Sequence, residues 1–333
     1  MNPSTTDVPV SLIVTGYNQA HLIDAAIDSA LAQTYPNLEI ILTDDCSSDD
    51  TFERMCAAAA RYQGPHRVLT HRPPRNLGTF GNIHAASGRA GGEIIVFAGG
   101  DDLSYPHRVA TIAERWAATG ADALYSGFDI IDEAGSVIER DFMPRPTTLF
   151  LMDYFPDPVF KILYGATTAC HSSVLARFPA PEVRIRSEDT YLTLMLNLHG
   201  GRIEFIAEAL VAYRQHDGAI TNVSAPSPDR ASIEGRERAQ MSLATSMAAV
   251  LRLFLAEVDR RGDHAELRKF VRDDIRMFEL KAGFDRASVV ERALALPLAR
   301  RRGEFAWLLP RVAGLRAFTL MKHLALRWRG TRA

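Results

Sequence analysis

Two periodicities alternate through the first two thirds of the chain. VSLIVT (10–15) is an unbroken apolar run closed by Gly16, the pattern of a strand buried on both faces. Behind it Leu22, Ile23, Ala26, Ile27, Ala30 and Leu31 recur every three to four positions, an apolar stripe that predicts a helix within 20–35. LEIILT (38–43) repeats the strand pattern. The polar cluster DDCSSDDT after it carries turn and N-cap chemistry and predicts a helix over 51–62. RVLTH (67–71), a short helix near 80–87, EIIVFA (93–98) and DALYSGF (122–128) keep the rhythm. Alternation at this spacing predicts an α/β fold with a mostly parallel sheet flanked by helices. Past SAPSPDR (224–230) the pattern turns helical almost throughout, with an amphipathic stretch over 233–261. The expected organisation is an α/β domain over 1–222 followed by an α-helical region over 223–333.

Composition narrows the classes. The 333 residues are 47% hydrophobic and 23% charged, values of a globular chain, and the net charge of -2 argues against nucleic-acid binding through overall positive charge. Cys46, Cys56 and Cys170 lack metal-ligand spacing and make no disulfide framework, which fits a reducing compartment. The start, MNPSTTDVPV, has no signal-peptide character, and no uninterrupted apolar run is long enough to span a bilayer; a cytoplasmic location is the expectation. From Arg300 onward nine Lys and Arg stand against the single Glu304, interleaved with Trp307, Phe318 and Trp328. That tail admits three readings: a helical subdomain packed on the core, a peripheral contact with an anionic membrane surface, or a homodimer element.

Ligands of parallel α/β sheets bind outside the carboxyl ends of the strands. Both acidic pairs of this chain, Asp44-Asp45 and Asp101-Asp102, fall at such ends. A helix cap needs one carboxylate, and Ser47, Ser48, Asp49 and Asp50 could cap the second helix in their place. No GxGxxG follows the first strand, which counts against a dinucleotide-dependent dehydrogenase. An Mg²⁺-binding phospho-acceptor signalling domain would expect a later strand-end lysine, and no lysine occurs between Met1 and Phe160.

The ordered series TGYN, ILTDDCSSDDT, RNLGTFGN, IIVFAGGDD and SEDTYL resembles the family 2 glycosyltransferases over residues 8–222. The resemblance implies a GT-A type, Rossmann-like fold and transfer of a sugar from a nucleotide donor with inversion, aided by a divalent cation, Mn²⁺ or Mg²⁺. It implies that Thr15, Tyr17 and Asn18 line the nucleotide site, with Tyr17 stacking on the base. Asp45 would accept the N3–H of uracil, which favours a UDP-sugar, with dTDP- and GDP-sugars as alternatives. Arg75, Asn76, Gly78 and Asn82 would complete the nucleotide side. Asp101 would hold both nucleotide and metal, with Asp102 and His216 as further metal ligands, and Arg214 would neutralise phosphate charge. Gly99 stands where the family places the first aspartate of D-x-D. Asp189 would be the catalytic base, with Glu188 beside it, and residues 140–170 would build the acceptor side. The family context implies a saccharide or lipid-linked saccharide acceptor in bacterial surface-polysaccharide synthesis, at the inner face of the plasma membrane. The departure at Gly99 leaves a catalytically inactive, sugar-nucleotide-binding scaffold as the alternative.

Overall fold

A computed structural model describes residues 8–143, 162–215, 230–262, 265–301 and 308–312. They divide into two compact units at Asn222/Val223. His216, residues 144–161 of the expected acceptor segment and most of the basic tail lie outside the described residues.

The first unit is built on a nine-stranded sheet of order β3-β2-β1-β4-β8-β6-β9-β5, with β7 hairpinned onto β6. The three apolar runs form β1 (Val10–Gly16), β2 (Leu38–Asp44) and β4 (Ile94–Gly99). With β3 (Arg67–His71) they make a parallel block, as continuous aliphatic runs buried on both faces require. Leu12, Val14, Ile40, Leu42, Ile94 and Val96 are at most 1% exposed. Burying each such side chain contributes about 1.5–3 kcal/mol. Helices α1 (Ile23–Leu31), α2 (Thr51–Arg61), α3 (Thr79–Ser87) and α4 (Arg108–Thr119) follow β1, β2, β3 and the fourth strand end. Helix α1 is shorter than its apolar stripe suggests. Gln33 Nε2 donates to Tyr105 O and Thr34 N to Pro106 O, which draws the chain out of the helix.

Beyond β4 the sheet changes sense. β8 (Ala169–His171) runs antiparallel to β4 and to β6 (Ala123–Ile131); the 12-residue β9 (Ile203–Arg214) is parallel to β6 and carries the short β5 (Leu103–Ser104) antiparallel on its far edge. β7 (Val137–Phe142) is the exposed partner of β6. Two helices complete the unit: α5 (Ser172–Arg177), and α6 (Glu188–Leu198), which starts on the acidic pair at 188–189 and buries nine of its residues. Register sets the site. Thr43 pairs with His71, Thr15 with Thr43, and Thr15 with Gly99, so the ends of the four parallel strands lie in one row.

The second unit contains α7 (Arg230–Arg261) packed with α8 (Ala265–Ala282), and α9 (Val289–Leu294), which opens on a capping box between Ser288 and Glu291. Within α7, Glu237–Arg261 is long and apolar enough to cross a membrane by length and composition; half of its apolar window is buried.

Candidate active site

The row of strand ends is held by a polar network. Thr43 Oγ1 donates to Asn82 Oδ1 (2.6 Å), Asn82 Nδ2 donates to Thr15 Oγ1 (2.7 Å), and His71 Nδ1 lies 3.0 Å from Thr43 Oγ1. The Thr43 hydroxyl has one proton, already given to Asn82, so His71 donates from Nδ1. Burial and the Arg89 charge hold His71 below its ordinary pKa, consistent with a neutral ring. Asn82, expected as a nucleotide contact, is fully buried and spends its amide on the strand ends, including Thr43 O. It is a brace beneath the site. Thr15 contributes twice: its hydroxyl accepts from Asn82 and its carbonyl accepts from Gly100 N.

The loops after β1 and β2 lock together. Ser47 Oγ accepts from Asn18 N, and Asn18 Oδ1 accepts from Ser48 N (2.9 Å), so the Asn18 carbonyl is occupied within the protein. Asn18 and Cys46 both take left-handed backbone, with φ of 52° and 63°. Such conformations persist where surrounding bonds over-determine them, often at functional loops. Tyr17 next to them is 49% exposed, which leaves its ring face open to stack on a planar ligand.

The two aspartates of β2 divide their roles. Asp44 is fully buried; it accepts from Ser47 N and sits 3.3 Å from Arg72 Nε. Asp45 accepts two main-chain N–H groups, from Leu77 (2.6 Å) and Gly78 (2.8 Å). It staples the loop after β3 over the strand ends. Burial raises its carboxyl above the ordinary value, against the pull of those two N–H groups and of Arg184. Gly78, at φ +79°, fits this turn because left-handed backbone is open to a residue without a Cβ. Asn76 Oδ1 also accepts from Gly78 N, while Arg75 is exposed with no side-chain partner among the described residues. Arg184 is a cation of this site that no motif marked, since it lies just before SEDTYL.

At the end of β4, glycine at 99 and 100 is a matter of space. A Cβ on Gly100 would lie 2.6 Å from Gln19 Oε1 and 3.0 Å from Thr15 O, and one on Gly99 would lie 2.7 Å from Asp101 Oδ1 and 2.9 Å from Asp102 Oδ2. Both carboxylates therefore turn toward the room left by the missing side chain. Asp102 is buried and its Oδ1 accepts Arg214 N (2.9 Å). Burial and the Asp101 charge push its carboxyl up to about 8, against Arg214 and Arg108. These features describe a brace in the scaffold, whereas the expectation was a metal ligand. Arg214 corrects another expectation. It is 5% exposed, and its guanidinium donates to the carbonyls of Asp101, Asp132 and Glu133 in place of phosphate.

No group of three or more His, Cys, Asp or Glu gathers into a metal site among the described residues. Asp101, partly exposed beside Gly99, supplies hard oxygen of the kind Mg²⁺ and Mn²⁺ prefer. The donor set fits a cation whose remaining ligands come mostly from a bound diphosphate and water.

The acidic pair of α6 sits against a turn. Gly165 N donates to Asp189 Oδ2 (3.3 Å), and a Cβ on Gly165 would lie 2.8 Å from Glu188 Oε1. Burial and the Asp189 charge push Glu188 up to about 8; burial also raises Asp189, whose N–H bonds from Thr190 and Gly165 pull it down. The two carboxyls titrate as a pair, both held above their ordinary values by burial. Arg108 ties this turn to β4. It is 1% exposed and donates to Phe97 O (2.6 Å), Ala166 O (3.0 Å) and Ser104 Oγ (2.9 Å). One fully buried guanidinium thus joins the strand that ends in GGDD to the turn that holds Asp189. Nothing in PHRV marked it beforehand.

The chain matches the model of "Glycosyl transferase family 2" over residues 11–182, just over half its length. It is 28% identical over 194 residues (57% of this chain, 70% of the relative) to the UDP-Glc:alpha-D-GlcNAc-diphosphoundecaprenol beta-1,3-glucosyltransferase WfgD of Escherichia coli. Its fold is similar to that of S. aureus TarS 1-349 in complex with UDP, with a TM-score of 0.56 at 18% identity, covering 91% of this chain and 82% of that one. It is also similar to the mannosyltransferase PcManGT from Pyrobaculum calidifontis in complex with GDP-Man and Mn²⁺, with a TM-score of 0.55 at 18% identity, covering 97% and 89%.

Proposed function

The chain belongs to glycosyl transferase family 2, with the GT-A fold, and from that premise we propose that it is an inverting, cation-assisted transferase. Its donor in this reading is a UDP-sugar, and its acceptor a hydroxyl of a saccharide or lipid-linked saccharide. The observation that carries the reading is the Glu188–Asp189 pair at the start of α6, set against the Gly165 turn, with both carboxyls held above their ordinary values. A base of raised pKa is better matched to a hydroxyl proton at neutral pH than an ordinary aspartate. Asp189 takes the acceptor's proton as that oxygen attacks the anomeric carbon, the bond to the diphosphate breaks on the opposite face, and the configuration inverts. Glu188, holding its proton in this reading, removes the like-charge repulsion that would otherwise oppose an ionised Asp189.

On the donor side Tyr17 stacks on the base, Asp45 accepts its N3–H through a lone pair the loop N–H groups leave open, and Arg75 and Arg184 supply positive charge. Asp101 holds the divalent cation with the diphosphate; the cation, when bound, offsets charge on the departing nucleotide. A cytoplasmic, membrane-proximal setting follows if the acceptor is lipid-linked, and the name of the Escherichia coli relative, with its diphosphoundecaprenol acceptor, supports that choice.

Calorimetry with UDP, dTDP and GDP, each with and without Mn²⁺, tests the donor half. Tight UDP binding that weakens without Mn²⁺ or in Asp101→Ala is the expected result. Asp189→Asn is expected to keep UDP affinity and lose transfer. Wild-type protein that binds none of the three nucleotides would remove this reading.

A further inference from the structure

Beside the base, four aromatic rings from four different segments form a small cluster outside the main core. Phe128 on β6 is its buried centre; Phe142 on β7, Tyr164 before the turn and Tyr213 on β9 surround it, half-buried. Ring centroids lie 4.9 Å (Phe142), 5.5 Å (Tyr164) and 5.4 Å (Tyr213) from that of Phe128.

Tyr164 is held more firmly than packing requires. Its carbonyl accepts Thr167 N (2.8 Å), Thr167 Oγ1 (3.1 Å) and Thr168 Oγ1 (2.9 Å), and its neighbour Leu163 donates N–H to Thr193 Oγ1 on α6. The next residue, Gly165, holds Asp189. The Tyr164 ring is therefore fixed one residue from the base's own hydrogen bond. Burial, and after it the Asp189 charge, raises its phenol above its ordinary value. That phenol has no hydrogen-bond partner among the described residues, although a half-buried hydroxyl ordinarily finds one.

Rigid aromatic faces, an unspent phenol and a carboxylate base side by side match one ligand chemistry. A pyranose has an apolar C–H face suited to an aromatic wall and hydroxyls at its rim. Sites of this kind combine aromatic lining with a few polar groups that fix orientation. We propose that Tyr164, with Phe142 and Tyr213, forms the acceptor-sugar subsite, the ring stacking on the wall while the phenol and Asp189 engage its hydroxyls. The inference rests on the transferase reading above and goes beyond it by naming the surface that selects a saccharide.

The test uses the full chain with UDP and Mn²⁺ present, and methyl α- and methyl β-D-glucopyranoside as probes in saturation-transfer NMR. UDP affinity is measured in parallel by calorimetry. Wild type is expected to transfer saturation to ring C–H protons of at least one glycoside. Tyr164→Ala and Phe142→Ala should weaken that binding about five- to tenfold, the scale of one aromatic contact. Tyr164→Phe should retain stacking, and UDP affinity should stay within about twofold of wild type in all three. Wild type that binds UDP but neither glycoside overturns the subsite and leaves the donor reading intact. Loss of UDP binding in Tyr164→Ala would mean that the wall serves the donor site or the fold, which also overturns it. Wild type that binds no nucleotide removes both readings together.

Discussion

Replacing Arg108 with methionine tests whether the site is assembled through that one buried side chain. Methionine approximates the volume of the aliphatic stem and deletes the donors. The change takes a partner from the buried carbonyl of Phe97 and the half-buried carbonyl of Ala166, each loss costing about 1–3 kcal/mol. It also removes a cation whose charge acts on Asp102, although that carboxyl, already pushed up to about 8, escapes most of the cost by holding its proton. The sum is about 2–6 kcal/mol, which spans the usual cost of breaking a buried charged cluster and is a large part of an ordinary domain's stability. Urea unfolding by circular dichroism gives the global loss. Because the chain has two compact units, hydrogen exchange over 97–104 and 163–168 locates it. Arg108→Lys should fall between wild type and methionine, since an ammonium cannot match the fork of a guanidinium. A methionine variant within about 1 kcal/mol of wild type, with unchanged protection at both segments, would refute the clamp.

Three further outcomes are expected. Asp45→Asn keeps one acceptor oxygen for two N–H groups, so it should lose about 1.5–3 kcal/mol, read as a lower melting temperature with and without UDP; a variant that melts like wild type contradicts the staple. Gly99→Asp should destabilise the fold and fail to strengthen Mn²⁺ binding in an EPR titration, because its Cβ would collide with both carboxylates; tighter Mn²⁺ would reverse that view. Asp102 and Glu188, both pushed up to about 8, keep protons in the fold that the unfolded chain releases near its ordinary carboxyl values. Their stabilisation is complete below those ordinary values and declines as pH rises through about 8. The urea midpoint should therefore fall between pH 5 and pH 9, at about these limits, and the slope should flatten in Asp102→Asn and Glu188→Gln; a wild-type midpoint that rises with pH would contradict the sign.

The parallel block was legible because VSLIVT, LEIILT and EIIVFA each carry at least three consecutive aliphatic residues, a pattern that strands covered on both faces require. β9 was not, because IEFIAEALVAYR is rich in Ala, Glu and Leu and reads as readily as helix. Pairing with β6 decides its conformation, and that pairing is non-local. The site was legible as a set of positions at strand ends. Whether a residue touches ligand or braces its neighbours depends on partners far away in sequence. Asp102 meets Arg214 across 112 positions, and Arg108 meets Ala166 across 58. Asn82 shows the same limit: its place on α3 was readable, but its inward orientation depends on Thr15 and Thr43.

The grip of Asp45 on the loop after β3 is made entirely to main-chain N–H groups. Main-chain contacts are indifferent to side-chain identity, so the loop's course is inherited independently of its composition. Arg75 can then vary without dismantling what positions it, whereas Asn76, whose Oδ1 also accepts Gly78 N, and Gly78, with its left-handed turn, are bound to their residue types. Such an arrangement separates architecture from selectivity. Substitution at an exposed position such as Arg75 can change the loop's surface chemistry, while one buried carboxylate keeps the loop in register with the sheet.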